Sequence, residues 1–119
     1  MPLVLIIEDS DEMRHVLSTY LSRMGYEIAE ACDGLDGLKV AKARIPSLII
    51  LDLMMPVASG DFTLGFIRST ESLRHIPVII ASAHPRARAI AEKLDAACLK
   101  KPFGFPELQA AIERLGLPA

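Results

Sequence analysis

Ser47-Leu48-Ile49-Ile50-Leu51-Asp52 is a short run of Leu and Ile that ends on a carboxylate. An unbroken apolar run, rather than an alternating one, fits a strand covered on both faces of a parallel sheet. Closing that strand with Asp52 is costly unless the carboxylate is paired, metal-bound or placed at the sheet's edge for use. Three further segments are built the same way. Leu3-Val4-Leu5-Ile6-Ile7 runs into Glu8-Asp9, Val78-Ile79-Ile80-Ala81 into Ser82, and Cys98-Leu99-Lys100 into Lys101-Pro102. An acid pair, an acid, a hydroxyl and an amine at four strand ends point to one site along one edge of a sheet.

Helical patterns separate these strands. Ser10-Asp11 supplies N-cap chemistry, and Met13, Val16, Leu17, Tyr20, Leu21 and Met24 follow at helical spacing up to a terminating Gly25. Residues 26–31 read as the second strand. Asp33-Gly34 opens a weaker helix through Leu35, Leu38, Val40 and Ala41, which Ile45-Pro46 breaks. A third helix is expected over roughly 61–72. A fourth opens at His84-Pro85 with Ile90 and Leu94 facing inward. The last begins at Phe105-Pro106-Glu107, where Pro106 suits the first turn, and carries Leu108, Ala111, Ile112 and Leu115 as its apolar stripe.

Five alternating strand–helix units predict an α/β domain: a doubly wound, parallel five-stranded sheet with helices on both faces. The functional crevice of such a sheet lies outside the carboxyl ends of its strands. That rule gathers Glu8, Asp9, Asp52, Ser82 and Lys101 from opposite ends of the chain.

At 119 residues the chain is expected to form one domain spanning 1–119, long enough to bury a core without staples. A composition of 51% hydrophobic and 24% charged residues is that of a globular protein. A formal charge of -2 makes no case for direct nucleic-acid binding. No apolar run approaches the roughly 20 residues of a membrane span, and no basic leader precedes the first strand. A cytoplasmic location and no membrane partner are therefore expected. Cys32 and Cys98 lack a metal-ligand pattern and read as small core residues in a reducing compartment.

Three carboxylates at one strand edge repel and raise one another's pKa unless a cation intervenes. A hard divalent ion resolves that, and Mg²⁺ takes one or two carboxylates plus water and phosphate oxygens. One carboxylate is then free to act as a nucleophile toward phosphorus. Phosphoryl transfer also needs positive charge and donors around the equatorial oxygens. Lys101 offers the ammonium and Ser82 the hydroxyl. The set fits an aspartyl-phosphate site.

On these residues the chain resembles a response-regulator receiver domain of the chemotaxis type, used in two-component signalling. The matching stretches are Ile6-Ile7-Glu8-Asp9-Ser10, Leu51-Asp52-Leu53-Met54-Met55-Pro56 with Gly60, Pro77-Val78-Ile79-Ile80-Ala81-Ser82-Ala83, and Lys101-Pro102-Phe103 with Glu107-Leu108. Each is a weak motif alone; the four in order are specific. The resemblance implies a flavodoxin-like (βα)5 fold with strand order 2-1-3-4-5. It implies that Asp52 is a phosphoacceptor, taking its phosphoryl group from a phosphohistidine on a sensor histidine kinase or histidine phosphotransfer protein. Asp9 would bind Mg²⁺ directly, Glu8 through water, Asp52 directly and Met54 through its backbone carbonyl. Ser82 and Lys101 would hold the phosphoryl oxygens, and Lys101-Pro102 would be a cis peptide. Such a domain is no enzyme beyond its own phosphorylation and dephosphorylation. Its altered face of helix four, strand five and helix five would bind a downstream protein or a second copy, as a monomer or a phosphorylation-dependent homodimer. The basic residues Arg86, Arg88, Lys93 and Lys100 lie in this region and suit an acidic partner.

The chain departs from the family pattern outside the chemical core. The position three before the site lysine, commonly Tyr or Phe, is Cys98, which has no ring to couple to Ser82 in the usual way. The stretch from Ser82 to Lys101 is a few residues short. Asp95-Ala96 stands for the usual Gly-Ala, and Ala58-Ser59-Gly60 for Met-Asp-Gly. Met54 and His84, each two residues beyond a site residue, are candidate modulators of phosphate lifetime. The plainer readings are a Met that covers the loop and a solvated His before Pro85. His15 and His75 sit in polar surroundings and are assigned no chemistry. The chain stops soon after the fifth helix, so no second domain is expected within it.

Three other readings compete. A phosphate-independent pseudo-receiver, acting as a protein-interaction module, conflicts with the intact Glu8, Asp9, Asp52, Ser82 and Lys101. A Mg²⁺-dependent aspartyl-phosphate hydrolase needs a second acid near its nucleophile and a cap, whereas Leu53 and Met54 follow Asp52 and no cap insertion is present. A flavin or nucleotide site is disfavoured because Glu8-Asp9-Ser10-Asp11-Glu12 would repel phosphate where those folds place Gly or Ser/Thr.

Overall fold

The computed structural model describes residues 2–55 and 59–117. In chain order the elements are β1 (Leu3–Ile7), α1 (Asp11–Arg23), β2 (Glu27–Ala31), α2 (Gly34–Arg44) and β3 (Leu48–Leu51), then α3 (Gly60–Ser69), β4 (Val78–Ser82), α4 (Ala87–Lys93), β5 (Ala97–Lys100) and α5 (Phe105–Arg114). All strand pairs are parallel, in the order β2-β1-β3-β4-β5. The flavodoxin-like order expected from the resemblance is therefore the order observed.

Alternation along each strand divides the core in two. Leu5, Ile7, Ile49, Leu51, Val78 and Ile80 pack toward α2, α3 and α4, against Leu38, Leu64, Ile67 and Ala91. Val4, Ile6, Leu48, Ile50, Ile79 and Ala81 pack toward α1 and α5, against Leu17, Leu21, Leu108 and Ile112. Burial on both faces is why these strands read as continuous apolar runs. Each buried Leu or Ile contributes about 2 kcal/mol relative to exposure. Register places Ile7 opposite Leu51 and Leu51 opposite Ile80, so β1 and β3 end together and β4 runs two residues further, to Ser82.

The helix starts follow their caps. Ser10 accepts the Met13 N–H before α1, and Asp33 accepts the Asp36 N–H before α2. Glu107 reaches back to the Gly104 N–H before α5, with Pro106 in the first turn. Gly25 follows α1 at φ +93°, the left-handed region that glycine enters at least cost.

Several sequence expectations need correction. Cys32 is exposed rather than buried, because it lies in the turn beyond the last residue of β2. Cys98 is half-buried beneath α4. α3 ends at Ser69, and α4 starts at Ala87, since residues 84–86 are spent on the turn that leaves β4. Leu94 caps α4 instead of lying within it. Tyr26 precedes β2 and is buried; its hydroxyl has no hydrogen-bond partner among the described residues, and burial pushes its pKa up.

At the amino end of β4 and β5, Arg68 of α3 ties three segments together. Its Nε donates to the Leu94 carbonyl at 2.9 Å, Nη1 to Arg74 at 3.1 Å and Ile76 at 2.8 Å, and Nη2 to Asp95 at 2.8 Å. Asp95 is in the left-handed region at φ 55°, which turns its carbonyl and that of Leu94 toward the guanidinium.

Candidate functional site

The site is the carboxyl edge of β1 and β3. β1 delivers Glu8 and Asp9 immediately after its last residue, and β3 delivers Asp52. Their carboxylate oxygens lie within 4.8 Å of one another, a spacing at which the three residues could hold a metal ion. Glu8 and Asp52 are buried, at 2% and 6% exposure, while Asp9 faces solvent.

Lys101 supplies the countercharge. Its Nζ lies 2.6 Å from Glu8 Oε1 and 3.8 Å from Asp52 Oδ2. The ammonium therefore sits in the acidic cluster, hydrogen-bonded to Glu8 and nearer to it than to Asp52. Breaking a buried pair of this kind leaves an uncompensated charge, which costs about 3 kcal/mol or more. The Lys101-Pro102 peptide is cis, as the resemblance implied. The second Glu8 oxygen accepts the Ser10 N–H at 3.2 Å, and Asp52 Oδ1 accepts the Met54 N–H at 3.2 Å. Partial burial first, then hydrogen bonding and charge repulsion from Glu8, raise the Asp9 pKa above its ordinary 3.8.

Ser82 closes β4 beside β3 and is fully buried. Its Oγ accepts the His84 N–H at 3.0 Å. His84 is half-buried, and its Nδ1 accepts the Arg86 N–H at 3.0 Å, so it is a structured turn residue rather than a freely solvated one. The Met54 side chain is 59% exposed at the rim. His15 and His75 are exposed. Pro56 and Ala58, which belong to the loop motif after Asp52, lie outside the described residues.

One contributor, Arg14, escaped the sequence reading, and the reason for another, Gly60, was not visible in its motif. Arg14 of α1 donates from Nη1 to the Glu8 carbonyl at 2.7 Å, bonds Asp11 and lies 3.4 Å from Glu30. It thereby fixes the acidic turn after β1. A cation one helical turn beyond Asp11 was the available signal. Gly60 is the second. A Cβ there would stand 2.3 Å from the Asp52 carbonyl oxygen and 2.5 Å from Leu53 Cα. Only glycine lets α3 start this close to the backbone that carries Asp52.

Residues 4–113 match the family model described as response regulator receiver domain. The chain belongs to that family. It is 37% identical over 118 residues to the sensor histidine kinase TmoS of Ectopseudomonas mendocina, covering 96% of this chain and 12% of TmoS. Its fold is similar to chemotaxis protein CheY4 of Vibrio cholerae, with a TM-score of 0.88, 28% identity and coverage of 96% and 98% of the two chains. It is also similar to the receiver domain of sensor histidine kinase PA1611 from Pseudomonas aeruginosa, whose structure has a magnesium ion coordinated in the active-site cleft. That match has a TM-score of 0.87, 27% identity and coverage of 95% of each chain. The chain spans from 8% to 49% of the lengths of the curated relatives. Receiver domains of two-component signalling, in kinases and in transcriptional regulators alike, are its relatives. Among the described residues no helix is long and apolar enough to cross a membrane.

Proposed function

We propose that Asp52 is the phosphoacceptor of this receiver domain and that Mg²⁺ is its metal, held by Asp9 and Asp52, by Glu8 through water, and by the Met54 carbonyl. The observation that carries the reading is the convergence of Glu8, Asp9 and Asp52 within 4.8 Å, with the Lys101 ammonium among them. The donor set is all oxygen, as a hard divalent cation requires. The PA1611 receiver, with magnesium in its cleft, supports the choice of ion. When bound, the ion supplies charge neutralisation for the incoming phosphoryl oxygens.

The remaining steps belong to the protein. Asp52 attacks the phosphorus of a phosphohistidine on a sensor histidine kinase or phosphotransfer protein. The O–P bond forms as the P–N bond breaks, and the imidazole leaves with the electron pair. Lys101 transfers part of its attention from Glu8 to the phosphoryl oxygens, and Ser82 donates its hydroxyl to another. Burial of Asp52 and Ser82 limits water at the acyl phosphate. The domain spanning 1–119 then acts through the face of α4, β5 and α5, which controls binding of a protein partner.

The test is intact mass after incubation with acetyl phosphate and Mg²⁺. A single phosphoryl adduct is expected on the wild type, absent without Mg²⁺ and absent from Asp52→Asn. No adduct on the wild type, with Mg²⁺ binding confirmed by titration, would overturn this reading in favour of a phosphate-independent interaction module.

A further inference from the structure

β5 is one of the two edge strands of the sheet, and two openings lie along it. One, of about 210 Å³, is walled by Ser82, His84, Ala87 and Cys98, with the exposed Arg88 and Lys100 also on its lining. The other, of about 280 Å³, shares Arg88 and Cys98 and continues past Glu92 toward Arg114 on α5. The two form one trough between α4 and α5.

The first opening has a simple cause. Register sets Cys98 opposite Ile80 and Lys100 opposite Ser82, and strand alternation turns these side chains toward α4. The residues that α4 buries there are Ala87 and Ala91. Cys98 thus meets Ala87 at the first opening and Ala91 at the second, and the space between these small side chains stays open. An apolar cavity of roughly 150 Å³ is enough to admit benzene, so this one has room for a phenyl ring. The rim is cationic: Arg88, Lys100 and Arg114 are exposed and join no ion pair among the described residues, with Glu92 the one acid on the lining. Guanidinium and ammonium groups favour an aromatic face as well as carboxylates.

We propose that this trough seats an acidic segment of a partner protein, which inserts one aromatic side chain beside Cys98. The proposal rests on the reading of this face as the output surface, and it names the partner's chemistry. Ser82 is both a wall of the pocket and the hydroxyl assigned to the phosphoryl group. Filling the pocket and phosphorylating Asp52 are therefore coupled, each altering the other's free energy by the same amount.

The probe is a fluorescein-labelled peptide of acidic residues around a single phenylalanine, followed by anisotropy, with an alanine version as control. The full chain should bind it with a Kd below about 1 mM, and the control at least about tenfold more weakly. Cys98→Phe, which fills the pocket from inside, should weaken binding by about tenfold or more, whereas Cys98→Ser should retain it. Arg88→Glu with Lys100→Glu, both on the surface, should weaken it too and reads out the site even if Cys98→Phe does not fold. Absence of saturable binding, equal binding of the alanine peptide, or binding indifferent to both sets of variants overturns the proposal. A concentration-dependent dimer of the chain alone, dispersed by the Arg88 and Lys100 changes, would also overturn it by making a second copy the occupant. Intact mass on the same samples separates the two readings. Lack of an adduct with pocket binding preserved removes the phosphoacceptor reading alone, and an adduct without Cys98-dependent binding removes the pocket alone.

Discussion

The two halves of the sheet's carboxyl edge are built on different terms. Beside β1 and β3 the atoms are tightly engaged. Glu8 bonds Lys101 and Ser10, Asp52 bonds the Met54 N–H, Arg14 holds the Glu8 carbonyl, and Gly60 leaves no room for a Cβ. Beside β4 and β5 small side chains leave cavities, and α4 is a seven-residue helix with no side-chain cap. The first half tolerates little because charge buried at close range demands fixed partners. Apart from Ser82 and Lys101, which reach the acidic site, the second half carries no such electrostatic penalty, so its other residues are open to change. One departure from the family pattern, Cys98 on β5, falls in that half.

Four substitutions probe this contrast. Arg68→Met should have the largest effect on stability. It removes bonds to four carbonyls beneath the loosely packed half and should cost about 3 kcal/mol in urea unfolding. Lys should not rescue it, since an ammonium cannot fork to four acceptors. A loss under about 1 kcal/mol would show that the α4 side is held by packing instead. Gly60→Ala tests the tight half. The clash with the Asp52 carbonyl should cost about 2 kcal/mol and slow adduct formation on Asp52. An unchanged adduct rate would mean that the loop yields without moving the carboxylate. Met54→Asn is expected to leave stability alone and shorten the lifetime of the adduct, by placing an amide where an exposed apolar chain orients water poorly. Decay followed by mass over time decides this, and an equal half-life sinks the idea.

The smallest effect concerns Asp61, in the first turn of α3. A hydrogen bond from Ser59, opposed by burial and aided by the α3 amides and the charge of His84, lowers its pKa below 3.8. A carboxyl whose folded pKa lies below its unfolded value adds stability above the unfolded pKa and loses it as pH falls through the folded one. Asp61→Asn should therefore cost about 0.5 kcal/mol near neutral pH, in line with a charge at a helix start. The gap between the two proteins should close in strong acid. Parallel unfolding curves at all pH values would deny Asp61 this role.

Much of the fold was legible in the sequence because it depends on local pattern. Runs such as Leu48 to Leu51 can be buried on both faces only in a covered parallel sheet, and the chain supplies the helices to cover it. The acidic cluster followed from one topological rule applied to strand ends, which is why Glu8, Asp9, Asp52 and Lys101 met as expected. What stayed hidden depends on partners that leave no mark of their own. Arg68 bonds only backbone carbonyls, and a carbonyl has no letter in the sequence. Cys32 resembles any small apolar residue until the end of β2 is known. The cavity beside Cys98 requires the register with Ile80 and the late start of α4, neither of which a linear reading supplies. Gly60 was noticed as part of a motif, but its closeness to Asp52 is a property of the tertiary path.

Arg68 also bears on how the domain can move. By gripping Leu94 and Asp95 from α3, it pins the end of α4 that lies farthest from Ser82. The near end, at residues 84–87, is held by single hydrogen bonds from the His84, Arg86 and Ala87 N–H groups. α4 thus has its firmest anchor at the far side of the sheet and its lightest tether beside Ser82.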